Sequence, residues 1–232
     1  MPGGLNHTSL PEFKREFFDS TERITVMGSG SLGGKAHGLA FIHDFTRNRF
    51  EHSRFPRFSV SIPVMTVIAT DFFDQFMQMN DLRELALSDA SDAHIANAFQ
   101  RASLPPELTG DLRALIATIN TPLAVRSSSL LEDAMFEPFA GIYATKMIPN
   151  NQPDADSRFR KLTEAVKFVW ASTFFKDAKE YIAATEHRTE DEKMAVIIQE
   201  VVGQRHGDRF YPHISGVARS FNYYPTGNAR AE

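Results

Sequence analysis

The amino-acid sequence predicts an α+β fold on the basis of two observations. Short apolar runs of strand length recur along the chain, at residues 63–69, 122–125 and 194–202. Between them lie long stretches with helical periodicity, of which the largest are residues 80–119, expected to form three helical pieces, and 159–173. Strands and helices of these lengths within one chain indicate a domain in which helices pack on a sheet.

Composition limits the possible classes of protein. The chain has 232 residues and a formal net charge of -4, which argues against a nucleic-acid binder with a broad basic face. The absence of cysteine excludes disulfides, a thiolate zinc site and a cysteine nucleophile. No apolar run approaches the roughly 18 residues of a membrane span, and the N-terminus lacks the pattern of a signal peptide. We therefore expect a cytoplasmic protein without membrane or nucleic-acid partners.

A glycine-rich stretch, residues 27–42, carries Lys35 directly after a pair of glycines and leads into a helical pattern. Backbone N–H groups at the start of a helix bind anions, and a lysine adds a mobile charge for a phosphate oxygen. The stretch is not a Walker A loop, because Ser29 replaces the first glycine and Ala36 follows the lysine. Two interpretations remain open: a phosphate-binding loop, or a flexible loop that caps a helix and carries a surface lysine.

A second candidate is the stretch 122–133, in which an apolar strand ends in Arg126 and a run of serines. A guanidinium with hydroxyl groups beside it provides the charge-assisted hydrogen bonds that a polyphosphate requires. The alternative is a structural ion pair between Arg126 and Glu132 or Asp133. The residues of this stretch leave both interpretations open.

A polar pair, Gln199 and Glu200, interrupts the apolar run 194–202. Burying a polar side chain is costly unless it is hydrogen-bonded, so either the end of this strand is solvated or one of the pair contacts a ligand.

Four less informative segments carry local predictions only. We expect a short helix over residues 9–19, a helix capped by Thr70 and Asp71, a loop over 203–212, and a strand over 214–220.

Taken together, a set of segments resembles the N-terminal nucleotide-binding domain of the pyruvate phosphate dikinase and phosphoenolpyruvate synthase family. Rifampin phosphotransferase and the glucan water dikinases use a similar ATP-binding module. Each segment is weak evidence alone, but they follow the family's order and span about residues 27–220. The matching segments are residues 33–39, 125–133, 139–141, 169–172, 195–199 and 215–217.

The resemblance implies an ATP-grasp-like fold, with mixed sheets flanked by helices and the nucleotide between two lobes. It implies that Lys35 contacts the phosphates of ATP and that Arg126 clamps the phosphoryl group being transferred. Gly141 and Thr145 would lie in the loop and strand that cover the phosphates, and Gln199 would lie near the adenine. The roles of Gly141 and Thr145 come from the resemblance alone.

The sequence departs from the family pattern in two places. Leu130 replaces a hydroxyl residue of the family's motif, and residues 203–212 are unlike those of the commonest members. We also find no counterpart of the acidic and glutamine residues that hold magnesium in the family. We therefore expect an extension at residues 1–20, followed over 21–232 by a dikinase-type ATP-binding domain whose C-terminal part is missing.

The functional expectation follows from this resemblance. ATP, with Mg²⁺ bound by residues outside this sequence, would donate its β-phosphoryl group to a carrier histidine. The carrier domain and a domain that binds pyruvate or phosphoenolpyruvate would belong to the full-length protein. The alternatives are a non-catalytic module that senses nucleotide, or the ATP domain of a rifampin- or glucan-type dikinase.

Overall fold

The computed structural model describes residues 10–15, 22–54, 56–129 and 141–217. In these ranges, strands of a main sheet alternate with helices, and a short hairpin follows. The strands are β1 Ile24–Met27, β2 Met65–Ile68, β3 Leu123–Ser129, β4 Thr145–Ile148, β5 Met194–Glu200, β6 Gln204–His206 and β7 Arg209–Tyr211. The helices are α1 Gly33–Asn48, α2 Thr70–Met79, α3 Arg83–Leu87, α4 Asp92–Arg101, α5 Pro106–Thr118, α6 Ala155–Ser172 and α7 Lys176–Ala183.

The main sheet has five strands in the order β1-β2-β5-β3-β4. The β1–β2 pair is parallel, whereas β5 runs antiparallel to both of its neighbours and β4 runs antiparallel to β3. Helix α1 packs on one face, and α2, α6 and the helices around them pack on the other. The prediction of a mixed sheet flanked by helices is therefore confirmed.

Two hydrophobic clusters fill the spaces between the sheet and its helices. Strand β5 contributes to both, because Ala195 and Ile197 face α1 whereas Val196 and Ile198 face the opposite cluster. This two-sided burial explains why the sequence of β5 is continuously apolar rather than alternating. At the centre of the larger cluster, the Trp170 indole is fully buried and its Nε1–H donates to the Met194 carbonyl oxygen at 3.1 Å.

The helical prediction for residues 80–119 is confirmed, with α3, α4 and α5 as its three pieces. The predicted helix over 9–19 is wrong at residues 10–15, which are not helical. Phe13 is buried there and its N–H donates to the Val26 carbonyl oxygen at 2.8 Å, so pairing with β1 outweighs the local pattern. The other residues of that segment lie outside the described ranges.

The chain divides into two compact units, Met1–Val201 and Val202–Glu232. In the second unit, the predicted loop over 203–212 contains the β6–β7 hairpin. The strand expected over 214–220 is wrong at residues 214–217, where Ile214 and Val217 are exposed and form no ladder. Residues 218–220 lie outside the described ranges. Across the described chain, none of the helices is long and apolar enough to span a bilayer.

Candidate functional site

Three of the predicted site residues lie on one face of the main sheet. Arg126 on β3 stands opposite Thr145 on β4, and Gln199 on β5 stands opposite Ala124, two residues before Arg126. Opposite residues of an antiparallel pair share a face, as do residues two apart on one strand. The half-buried Arg126 guanidinium donates to Gln199 Oε1 at 2.9 Å. The structure therefore brings Arg126, Thr145 and Gln199 together through strand register.

The hydrogen-bond partner of Arg126 decides whether the positive charge of its guanidinium is neutralised within the protein. In the described part of the chain, Arg126 bonds to a neutral amide and forms no ion pair with a carboxylate. The candidates for such a pair, Glu132 and Asp133, lie outside the described residues. A guanidinium bonded to an amide keeps its full positive charge, so it can still form charge-assisted bonds with an anion.

Lys35 lies in the first turn of α1 and points to the same stretch of β3. Its Nζ donates to Ser127 Oγ at 3.1 Å, next along the chain from Arg126. The adjacent hydroxyl, Ser128 Oγ, accepts from the Ala36 N–H at 3.1 Å and donates to the Leu32 carbonyl oxygen at 2.7 Å. The Ser128 hydroxyl therefore links the start of α1 to β3 through two hydrogen bonds. The sequence predicted a role in phosphate binding for these serines and did not predict this structural role.

The glycine-rich loop is held by residues at the start of α2. The backbone N–H groups of Ser29 and Gly30 donate to the Asp71 carboxylate at 3.0 and 3.1 Å, and that of Ser31 donates to Thr70 Oγ1 at 2.9 Å. Helix α2 itself has Ala69 at its N-cap position without a side-chain bond. The predicted helix is confirmed, but the prediction that Thr70 and Asp71 cap it is wrong, because their side chains bind the loop instead.

This arrangement also corrects the phosphate-cradle interpretation for residues 29–31 of the loop. The N–H groups of residues 29–31 already have acceptors within the protein, so they are not the donors that meet an anion. The glycines serve close packing: a Cβ on Gly30 would lie 2.5 Å from the Asp71 nitrogen, and one on Gly33 would lie 1.8 Å from the Ser128 carbonyl oxygen. Lys35 remains a group suited to a phosphate, whereas the amides of residues 29–31 do not.

Gly141 is the predicted site residue that the described contacts do not join to the others. It is exposed in the turn before β4 and has a φ of 85°, a conformation that favours glycine. Within the described chain, no hydrogen bond connects it to Lys35 or Arg126.

Sequence interpretation overlooked Met147, which stands opposite Ala124 in the β3–β4 register. It therefore shares the face of Arg126 and Gln199, and it is 61% exposed. The register between β3 and β4 is the signal that identifies it, and a single sequence does not provide that register. Among the described residues, no group of three or more histidine, aspartate or glutamate side chains is arranged to hold a metal ion.

The fold and the two cations beside β3 define an α/β protein suited to an anionic ligand. The family model described as "Pyruvate phosphate dikinase, AMP/ATP-binding domain" matches residues 29–231, and the chain belongs to this family. Membership supports ATP binding in a protein of pyruvate phosphate dikinase type, in a kinase or dikinase context. No curated protein matches the chain.

Proposed function

We propose that this chain is the ATP-binding part of a phosphotransferase of the phosphoenolpyruvate synthase or pyruvate phosphate dikinase type. ATP would donate its β-phosphoryl group to a carrier histidine on another domain, with the nucleotide held in an ATP-grasp-like arrangement. The observation that carries the proposal is that two cations occupy neighbouring positions along β3: Arg126 belongs to the strand, and Lys35 Nζ bonds to the hydroxyl of Ser127, the next residue. Membership of an AMP/ATP-binding family supports it.

In the proposed mechanism, this chain supplies position and charge rather than covalent chemistry. Arg126 would stabilise the negative charge on the phosphoryl group as it moves, and Lys35 would neutralise a neighbouring phosphate oxygen. The Arg126–Gln199 bond orients the guanidinium before the nucleotide arrives. The Gln199 side-chain nitrogen would then be the donor that meets the adenine, and Thr145 would contact a phosphate from β4.

Mg²⁺ would accompany ATP and neutralise charge on its phosphate oxygens. The described residues offer no cluster of acidic or histidine side chains for it.

The test is the Arg126→Ala substitution in the full-length protein, read out by transfer of label from [β-³²P]ATP to histidine. Losing a cation that contacts the transferred group commonly lowers the rate on the order of 10²–10³-fold. The matched control is Arg101→Ala, because Arg101 is an exposed arginine at the end of α4. Full activity of the Arg126 variant would refute the assignment, provided that its urea midpoint equals that of the parent.

A second measurement separates phosphoryl transfer from nucleotide sensing. Calorimetry with ATP and Mg²⁺ on the 232-residue chain should give a dissociation constant in the high micromolar range or weaker. A partial site loses as much ligand and side-chain freedom on binding as a complete one, but it makes fewer contacts with the nucleotide. In the full-length protein, tight ATP binding without any labelled histidine would favour the sensing module instead.

A further inference from the structure

A basic groove lies on the side of the sheet opposite Arg126. It runs between the edge strand β4 and helix α6, and its volume is about 690 Å³. Lys146, which lines it, stands opposite Val125 in the β3–β4 register, so it points away from the face that carries Arg126. The volume lies within the roughly 300–1,000 Å³ of known small-molecule sites. This basic groove is thus distinct from the proposed nucleotide site.

The charges in the basic groove are unbalanced. Four cations line it, Lys146, Arg160, Lys161 and Lys167, against the single carboxylate of Glu164. Glu164 pairs with Lys161 at 2.9 Å. Within the described chain, no carboxylate pairs with the other three cations. This is unusual for a protein whose net charge is -4.

Several other surface cations of the described chain have acidic partners. Arg113 pairs with Asp156 at 2.7 Å, and Lys176 lies 3.6 Å from Glu180. The basic groove therefore brings four cations together with one carboxylate, and this excess of positive charge favours occupation by an anion.

Two of these cations are held in place rather than freely solvated. The half-buried Lys167 ammonium donates to the Gln100 carbonyl oxygen at 3.2 Å, and burial lowers the pKa of Lys167. Lys146 Nζ lies 3.8 Å from the centroid of the Phe168 ring. Lys167 is half-buried and forms no salt bridge within the described chain, and the nearby Glu164 carboxylate offsets only part of the effect of burial on its pKa. A bound anion would compensate for the remainder.

We propose that the basic groove binds a small phosphorylated anion, at a site separate from Arg126 and Gln199. Arg160 provides planar N–H donors that match two phosphate oxygens, and the lysines provide point charges. The Phe168 ring, which also lines the groove, offers an apolar surface for the organic part of a phosphate ester. The inference does not depend on the proposed phosphotransfer function.

The test is a ¹H–¹⁵N NMR titration of the 232-residue chain with two probes, pyrophosphate and phenyl phosphate. We expect saturable shifts of the Lys146 and Lys167 amides with both probes. Tighter binding of phenyl phosphate would identify an organic phosphate ester as the ligand class, and tighter binding of pyrophosphate would identify an inorganic one. Both outcomes support the site.

The deciding comparison uses two variants that lose the same charge. The substitutions Lys146→Gln, Arg160→Gln and Lys167→Gln together should weaken binding at the groove at least tenfold. The control combines Arg113→Gln, Lys176→Gln and Lys193→Gln, which remove cations that have acidic partners. Equal weakening in both variants, or shifts confined to residues around Lys35 and Arg126, would overturn the proposal while leaving the nucleotide site intact. If the groove variant does not fold, Lys146→Gln alone replaces it, since Lys146 is exposed.

Discussion

Replacing Gly33 by alanine should destabilise the protein by about 2–5 kcal/mol. Gly33 begins α1 with a φ of 69°, and a left-handed conformation costs an alanine about 1–2 kcal/mol. The new Cβ would also lie 1.8 Å from the Ser128 carbonyl oxygen and 2.4 Å from its carbon, both in the backbone of β3. Forcing α1 away from β3 adds roughly 1–3 kcal/mol of overpacking. That total is a large part of a stability of about 5–15 kcal/mol.

Gly38→Ala is the matched control, because Gly38 lies in the same helix and a Cβ there would meet nothing within 4 Å. It should stabilise the protein by about 0.5–1 kcal/mol, since alanine is the better helix former. Urea unfolding followed by the fluorescence of Trp170, the only tryptophan, measures both free energies. If Gly33→Ala unfolds at the parent midpoint, or if the two variants shift it in the same direction, the close packing of α1 on β3 is refuted.

Three further predictions concern polar contacts. Asp71→Ala should lower the free energy of unfolding by about 1–3 kcal/mol and speed hydrogen exchange of the two loop amides that donate to the carboxylate; unchanged exchange would contradict this. At the N-cap of α6, the Ser157 N–H donates to the Asp154 carboxylate and lowers the pKa of that carboxyl. The ionised carboxylate therefore stabilises the folded protein at pH values above the pKa that Asp154 has in the unfolded chain. This stabilisation is lost as the pH falls through the lower pKa of the folded state. The free energy of unfolding in urea should accordingly differ between Asp154→Asn and the parent at neutral pH, and the two values should converge in acid. A difference that does not change with pH would refute this. Trp170→Phe should cost about 1–3 kcal/mol by circular dichroism, because a buried carbonyl of β5 loses its donor; an unchanged midpoint would show that this bond contributes nothing.

The helices and strands of this fold were predictable from the sequence where the hydrophobic periodicity is strong. For the contact between Arg126 and Gln199, the sequence indicated the two residues but not that they meet. Each of these two residues interrupts an apolar strand, and this marked both as unusual before their neighbours were known. Their proximity depends on the pairing of β3 with β5, which brings together residues that lie far apart in the sequence. Arg126 and Gln199 are separated by 73 positions. A single sequence does not encode that register in any local pattern.

The bond between Asp71 and the glycine-rich loop was not predictable for a related reason. An aspartate between a strand and a helix matches the preferred N-cap residues, so local rules assign it to α2. In the fold, the carboxylate instead accepts from Gly30, 41 positions earlier, because β1 and β2 are neighbours and their following segments meet. Local capping preference and tertiary contact compete for the same side chain, and here the tertiary contact prevails.

The position of β5 has a consequence for biosynthesis. Among the described residues it is the last strand of the main sheet along the chain, yet it lies in the middle, between β2 and β3. Until residues 194–200 leave the ribosome, β1–β2 and β3–β4 are separate pieces, each with a bare strand edge that can associate with another chain. A nascent polypeptide therefore carries Arg126 long before it has Gln199 to orient the guanidinium. The face that carries these two residues forms in the same late step that closes the sheet.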